Sequence, residues 1–506
     1  MRATSWSGRN PILLLALLFP VLVALGLWAA PVQADAEPAA APAQTVRNPL
    51  REGVADPWLF THHGSYYLTY TTVDRIVLVK AKSVAELATA PATTIWQDSS
   101  PERCCHIWAP ELHFLNGRFY VYYTAQDSSS DLSKHRMYVL ESRGSDPMGS
   151  YTFKAKLATQ NDFSIDGTVL TMPNGRLYQV WSGHLNGSPQ SLFISQMKNP
   201  WTLVGPTTLL SEPTYDWEKH GLVNEGAVAL RRGGRTFLFF SASQCATPDY
   251  AVGTLEFTGG NVLDRRSWQK STSPVFQRND ANWVFGPGHN SFFTSPDGKE
   301  VWNAYHAVTS SSGAPYGSCG GDRSLRIDKV SFTEDGTPKL GVPSASWQNV
   351  ALPSGDPGVA PVPDGTYRIA PKNIPAGALD VLDCSTADGA DVSVWNDVGS
   401  ACQRWQLSYL NDGTGTYKII NADTGKALHV EGCSPDLNVN VVQSGYTGAD
   451  CQRWYVDRLP GDHVRITSKI GGRSLDVAGC SNTPRADVRV WNYWQGDCQK
   501  WKLNPV

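Results

Sequence analysis

The chain lacks a dominant charge: its 506 residues carry 43 Lys and Arg against 46 Asp and Glu. No global field therefore draws it to nucleic acid or anionic lipid. Beyond its N-terminus it also lacks any apolar run able to span a bilayer, and residues 48–348 show no helical pattern of convincing length. It is not short of rings. Its 18 Trp and 19 Tyr fill cores and also stack on sugars, so a neutral polymer suits this surface better than a nucleic acid or, once the N-terminus is removed, a membrane.

The one long apolar stretch, Ile12 to Leu27, follows Arg2 and Arg9, is broken by Pro20 and Gly26, and leads to Val32-Gln33-Ala34. That order predicts a signal peptide over residues 1–34 and a secreted, extracellular protein. Residues 35–47 are Ala/Pro-rich and predict a disordered leader. Residues 349–363 hold four Pro and two Gly and predict a semi-rigid linker. Two globular parts remain, residues 48–348 and 364–506, and the chain is expected to be monomeric.

The first part repeats a polar residue, an apolar run, a turn and an aromatic strand about every 55 to 65 residues. The copies begin at Asp56, Glu111, Asp166, Glu225 and His289, with short aromatic and β-branched runs between turns such as Asn116-Gly117 and Asp297-Gly298. One small antiparallel sheet per copy makes a five-bladed β-propeller, in which equivalent positions converge near the axis. Four of the five lead residues are acids. Asp56 precedes Pro57, Asp166 precedes Gly167 and Glu225 precedes Gly226, as expected where backbone must approach a ligand closely. Hydrolysing a glycosidic bond needs one acid to protonate the leaving oxygen and one carboxylate to act on the opposite face of the sugar. A third negative charge that raises the pKa of the proton donor completes a workable set.

The second part has a sharper repeat. Cys384, Cys433 and Cys480 are 49 and 47 residues apart, as are Cys402, Cys451 and Cys498, and as are Trp405, Trp454 and Trp501. In a secreted chain this spacing predicts disulfides Cys384–Cys402, Cys433–Cys451 and Cys480–Cys498. No His recurs with the cysteines, which argues against zinc. Three units whose Gln-x-Trp tryptophans meet on a pseudo-three-fold axis describe a β-trefoil, so the whole chain is expected to be all-β, a propeller followed by a trefoil. Cys104, Cys105, Cys245 and Cys319 permit three pairings, a vicinal bridge among them.

The ordered set Asp56-Pro57, Ile107-Trp108-Ala109-Pro110-Glu111, Asp166-Gly167, Asn224-Glu225-Gly226 and Gly286-Pro287-Gly288-His289-Asn290-Ser291 resembles glycoside hydrolase family 43. Residues 364–506 resemble the ricin-type lectin fold, carbohydrate-binding module family 13. The first resemblance implies an inverting glycosidase with Asp56 as general base, Glu225 as general acid, and Asp166 orienting Glu225 and tuning its pKa. It implies sugar contacts from Trp108, His289 and Arg323, with Glu111 left to structural hydrogen bonding. No cofactor is required; a structural calcium or sodium ion held through His289 is an expectation taken from some relatives. The motifs of sucrose-acting five-bladed enzymes, such as Asn-Asp-Pro-Asn-Gly, are missing. Trp-Ala-Pro-Glu with the Gly-Pro-Gly-His-Asn-Ser segment looks most like exo-acting arabinofuranosidases, with β-xylosidase and exo-galactanase as alternatives, and the partner is then a plant cell-wall polysaccharide: arabinan, arabinoxylan or galactan. The rival from another class is a non-catalytic lectin, which has no use for three acids together. In the ricin-type fold each lobe can hold a sugar between an early Asp and a later aromatic residue. Asp380 with Trp395 and Asn396, and Asp476 with Trp491 and Asn492, fit that pattern, whereas His429 and Ser444 replace the pair in the middle lobe.

Overall fold

The computed structural model describes residues 45–129, 131–159, 163–185, 187–309, 319 and 322–506; the expected signal peptide and most of the leader lie outside them. Among the described residues there is no α-helix, only short 3₁₀ turns, and no helix is long and apolar enough to cross a membrane.

Five antiparallel sheets follow one another along the first part. Their innermost strands are Trp58–His62, Cys105–Leu115, Ser164–Thr171, Asn224–Arg232 and Phe285–Thr294. Four of the sheets have four strands and the fifth has three. Alternating apolar residues on both faces of each sheet pack against the neighbouring blades. Leu59 and Leu68 of the first blade, for example, share a core with Phe293, Trp302 and Ile327 of the fifth.

The ring closes through chain that precedes the first blade. The Leu50 N–H donates to Leu325 O (2.8 Å), the Leu325 N–H to Arg51 O (2.8 Å) and the Val54 N–H to Arg323 O (2.9 Å). Residues 50–54 thereby extend the fifth blade and run directly into Asp56. The expected disordered leader ends earlier than its composition suggested. Thr45–Val46 pairs with Val350–Ala351, and Arg47 is buried with its Nε donating to Asp457 Oδ2 at 2.8 Å. The expected semi-rigid linker is fastened to the blades. Ser354 Oγ donates to Asp297 Oδ2 (2.6 Å) and Asp356 Oδ2 accepts from the Val84 N–H (2.9 Å). Proline count sets local stiffness, but hydrogen bonds to the blades decide where this strap lies.

The trefoil strands, from Gly365–Pro371 to Trp501–Pro505, surround one apolar core. The indole N–H groups of Trp405, Trp454 and Trp501 donate to Leu379 O, Leu428 O and Leu475 O at 2.8, 3.0 and 3.1 Å. Gln403, Gln452 and Gln499, just before them, donate to Asn396 O, Gly445 O and Asn492 O at 2.9, 2.7 and 2.8 Å. The Gln-x-Trp repeat is therefore a core device: its polar atoms satisfy buried backbone in each of the three lobes. The three predicted bridges are present, and the other four cysteines pair as Cys104–Cys105 and Cys245–Cys319.

Candidate active site

From the second blade to the fifth, each innermost strand is bulged near its start: between Trp108 and Glu111, Ile165 and Thr168, Glu225 and Val228, and Gly288 and Ser291. Inside these bulges Ala109, Asp166, Gly226 and His289 have φ of 41°, 53°, 56° and 44°, and Asp56, just before the first strand, has φ of 54°. Left-handed backbone is costly for any side chain but hydrogen and must be held from outside. The preceding blade does the holding. Ala109 N–H donates to Thr71 Oγ1 (2.8 Å), Asp166 N–H to Thr124 Oγ1 (3.2 Å), His289 N–H to Ser241 Oγ (2.7 Å) and Asp56 N–H to His306 Nδ1 (3.1 Å). At the fourth blade Gly226 takes the left-handed backbone, and a Cβ there would stand 3.0 Å from the His289 ring, so a side chain after Glu225 would be strained and crowded.

The bulges correct the repeat register read from sequence. Asp56, Asp166 and His289 are equivalent, but Glu225 lies one residue before its left-handed neighbour and Glu111 lies two after Ala109. All five leads therefore do not share one position. Glu111 is buried and hydrogen-bonded to His113 Nε2 at 2.8 Å. Burial pushes its carboxyl pKa upward.

Asp56, Asp166, Glu225 and His289 form one electrostatic cluster. Thr71 Oγ1 donates to Asp56 Oδ2 (2.6 Å), Arg323 Nη1 to Asp56 Oδ1 (3.0 Å), and His289 Nδ1 lies 3.2 Å from the same oxygen. Burial alone would raise the Asp56 pKa, but Arg323 and His289 hold it well below the usual carboxylate range. His306 is neutral, its pKa lowered by burial and by Arg323, and its Nδ1 is the acceptor for Asp56 N–H, so its proton sits on Nε2. Glu225 goes the other way. It accepts from Tyr250 (2.9 Å) and Gln190 (2.8 Å), yet burial and the nearby Asp56 raise its pKa. Asp166 is pushed up to about 8, by burial first and then by Glu225, Asp56 and Glu111 against the pull of His289. One anionic carboxylate thus faces two that retain a proton more readily.

His289 supplies positive charge itself. Burial opposes its protonation, but Asp56, Asp166 and Glu225 raise its pKa to about 10. A calcium or sodium ion taking Nδ1 as a ligand would have to displace that proton. Arg323 is buried; its Nη2 donates to Cys319 O at 2.6 Å, and Cys319 is bridged to Cys245. Trp108 is half-buried and stacks on His135 with ring centroids 3.8 Å apart. Tyr250, Gln190, Thr71, His306 and His135 were not singled out from sequence. Each lies outside the innermost strands that the repeat picks out, and no local motif marks them.

On the trefoil the three lobes differ. In the first, Asp380, Trp395, Gln403 and Arg485 help to line a pocket of about 260 Å³. Burial lifts the Asp380 pKa to about 6, and Asn396 is exposed at the edge. In the third, Arg489 covers the corresponding groups: its Nε donates to Asp476 Oδ2 at 2.8 Å and its guanidinium lies 4.4 Å from the Trp491 ring centroid. Asn492 is buried and bound to Arg473. In the middle lobe His429 Nδ1 is buried without a partner.

Residues 46–338 match the description Glycosyl hydrolases family 43, and residues 401–491 match a ricin-type beta-trefoil lectin domain. An extracellular exo-α-(1→5)-L-arabinofuranosidase of Streptomyces avermitilis is 41% identical over 366 residues, covering 70% of this chain and 73% of that one. Alpha-L-arabinofuranosidase 43 of Humicola insolens is 33% identical, covering 85% and 80%. Among solved structures, an α-L-arabinofuranosidase from Lactobacillus brevis is 34% identical with a TM-score of 0.56, covering 59% of this chain and 97% of that one.

Proposed function

The chain belongs to glycosyl hydrolases family 43, and from that premise we propose that it is a secreted exo-α-L-arabinofuranosidase that removes terminal L-arabinofuranose from arabinan or arabinoxylan with inversion. The observation that carries the reading is the opposed tuning of the acids, Asp56 held low by Arg323 and His289 while Asp166 and Glu225 are held high. Inverting hydrolysis needs that asymmetry between base and acid. The arabinofuranosidase names of the relatives at 41% and 33% identity support the sugar.

In this scheme Asp56 takes a proton from a water as the water oxygen bonds to the anomeric carbon. Glu225 gives its proton to the glycosidic oxygen as that bond breaks, so the polymer leaves as an alcohol. Asp166 keeps negative potential or a shared proton beside Glu225, His289 and Arg323 orient Asp56, and Trp108 walls the sugar pocket. The first trefoil lobe, with Asp380 and Trp395, would keep the enzyme near polymer; weak binding suffices when it raises local concentration.

A panel of aryl α-L-arabinofuranosides, β-D-xylosides and β-D-galactosides, read with an anomer-resolved product assay, tests the proposal. Fast release of arabinose as the inverted anomer is expected. Release of xylose or galactose in preference would overturn the sugar, and a retained anomer would overturn the mechanism.

A further inference from the structure

The trefoil touches the propeller beside the general base. Beyond the strand Ala486–Trp491 of its third lobe, three side chains, Tyr493, Gln495 and Lys500, reach the two segments that lead to Asp56 and carry Arg323. Gln495 Oε1 accepts from Ser324 Oγ at 2.7 Å, and Ser324 is fully buried and follows Arg323 directly. Tyr493 Oη and Lys500 Nζ donate to Glu52, the latter at 2.6 Å. Glu52 lies in the segment whose Val54 N–H is bonded to Arg323 O. Both segments are therefore gripped from the trefoil side, four residues from Asp56 on one and one residue from its Arg323 partner on the other. Gln495 adopts φ of 70°, a left-handed backbone that costs free energy and persists where surrounding contacts impose it.

We propose that Gln495 is a positioning residue for hydrolysis: through Ser324 it fixes Arg323 against Asp56, so that the trefoil contributes to the chemical step as well as to holding polymer. The inference rests on Asp56 being the general base. It separates two effects that are usually conflated, because a small soluble substrate has no use for polymer binding.

The test uses full-length variants on the aryl glycoside that the parent hydrolyses. Gln495→Ala is expected to lose about tenfold in kcat, in line with small misplacements remote from the reacting atoms, with KM changed by less than about twofold. Gln495→Glu, which keeps an acceptor for Ser324, is expected to recover most of the rate. Ser324→Ala should show the same loss as Gln495→Ala, and the double variant no further loss, because each removes one and the same bond. Lys469→Ala, which breaks a trefoil ion pair with Asp450, should leave kcat at the parental value. A parental kcat in Gln495→Ala, a loss confined to KM, or an equal loss in Lys469→Ala overturns the proposal. Asp56→Ala in the same series keeps the two readings apart: if it retains activity the base assignment fails, and if it alone is impaired only the role of Gln495 fails.

Discussion

At the scale of single residues, the site works by placing similar side chains in unlike surroundings. Asp56 sits against Arg323 and His289, so it stays ionised far into acid; the Asp166 and Glu225 pair sits in burial and mutual repulsion, so it keeps a proton toward neutrality. The kcat/KM profile should therefore show an acid limb well below pH 4 or none before denaturation. Its alkaline limb should be displaced above the ordinary carboxylate range and belong to the coupled pair of Asp166 and Glu225 rather than to either acid, and a pH–rate series on an aryl arabinofuranoside reads both. If Asp56 is the base we propose, Asp56→Ala should lower kcat about 10³-fold, the usual worth of a general base, with little change in KM. Much of this was legible in the chain: the acids announced themselves by preceding Pro or Gly. Their exact register was not, because a bulge adds a residue without leaving a mark in composition, and so Glu111 and Glu225 looked equivalent to Asp56 when they are not. Tyr250 and Gln190, which hold Glu225, were illegible for a different reason. They arrive from other strands, and only folding brings them within hydrogen-bond distance.

At the scale of elements, the two repeats differ in how much sequence they expose. The trefoil repeat recurs in side chains with fixed partners, since each Gln-x-Trp must bond the same backbone groups in each lobe, and the disulfides follow it. Trp454→Ala should destabilise the trefoil by about 3–5 kcal/mol, measured by chemical denaturation. The sugar lobes were less legible. Asp476 and Trp491 match the expected pair, yet Arg489 from the same lobe lies between them, and no spacing rule warns of a side chain that folds back onto its own pocket. Trp395→Ala should accordingly abolish retardation of the protein in gels containing soluble arabinan or xylan. Trp491→Ala should change that retardation little, whereas equal effects from the two would mean that Arg489 swings aside for a ligand.

At the scale of the whole molecule, propeller and trefoil are joined by charge as well as by chain. Asp457 lies between Arg47 and Arg465; burial opposes its ionisation, but the two guanidinium groups hold its pKa below the ordinary value. A depressed carboxylate stabilises the fold above its unfolded pKa of about 4, and that contribution is lost as pH falls through the folded value. Asp457→Asn should lower the Tm at neutral pH and flatten its acid-side decline, as differential scanning fluorimetry across pH 3–7 would show. Neither the leader nor the strap could have been placed from composition, because Ala and Pro report stiffness and not what their neighbours bond to.

The closure of the ring sets an order of assembly. Leu50 to Val54 are made early and find their partners, Arg323 to Leu325, only after some 270 residues more have been made. Until then Leu50 to Val54 have no companion and Asp56 has no guanidinium beside it. Ring closure should therefore be the slow part of folding, limited by that long-range encounter and not by any single blade.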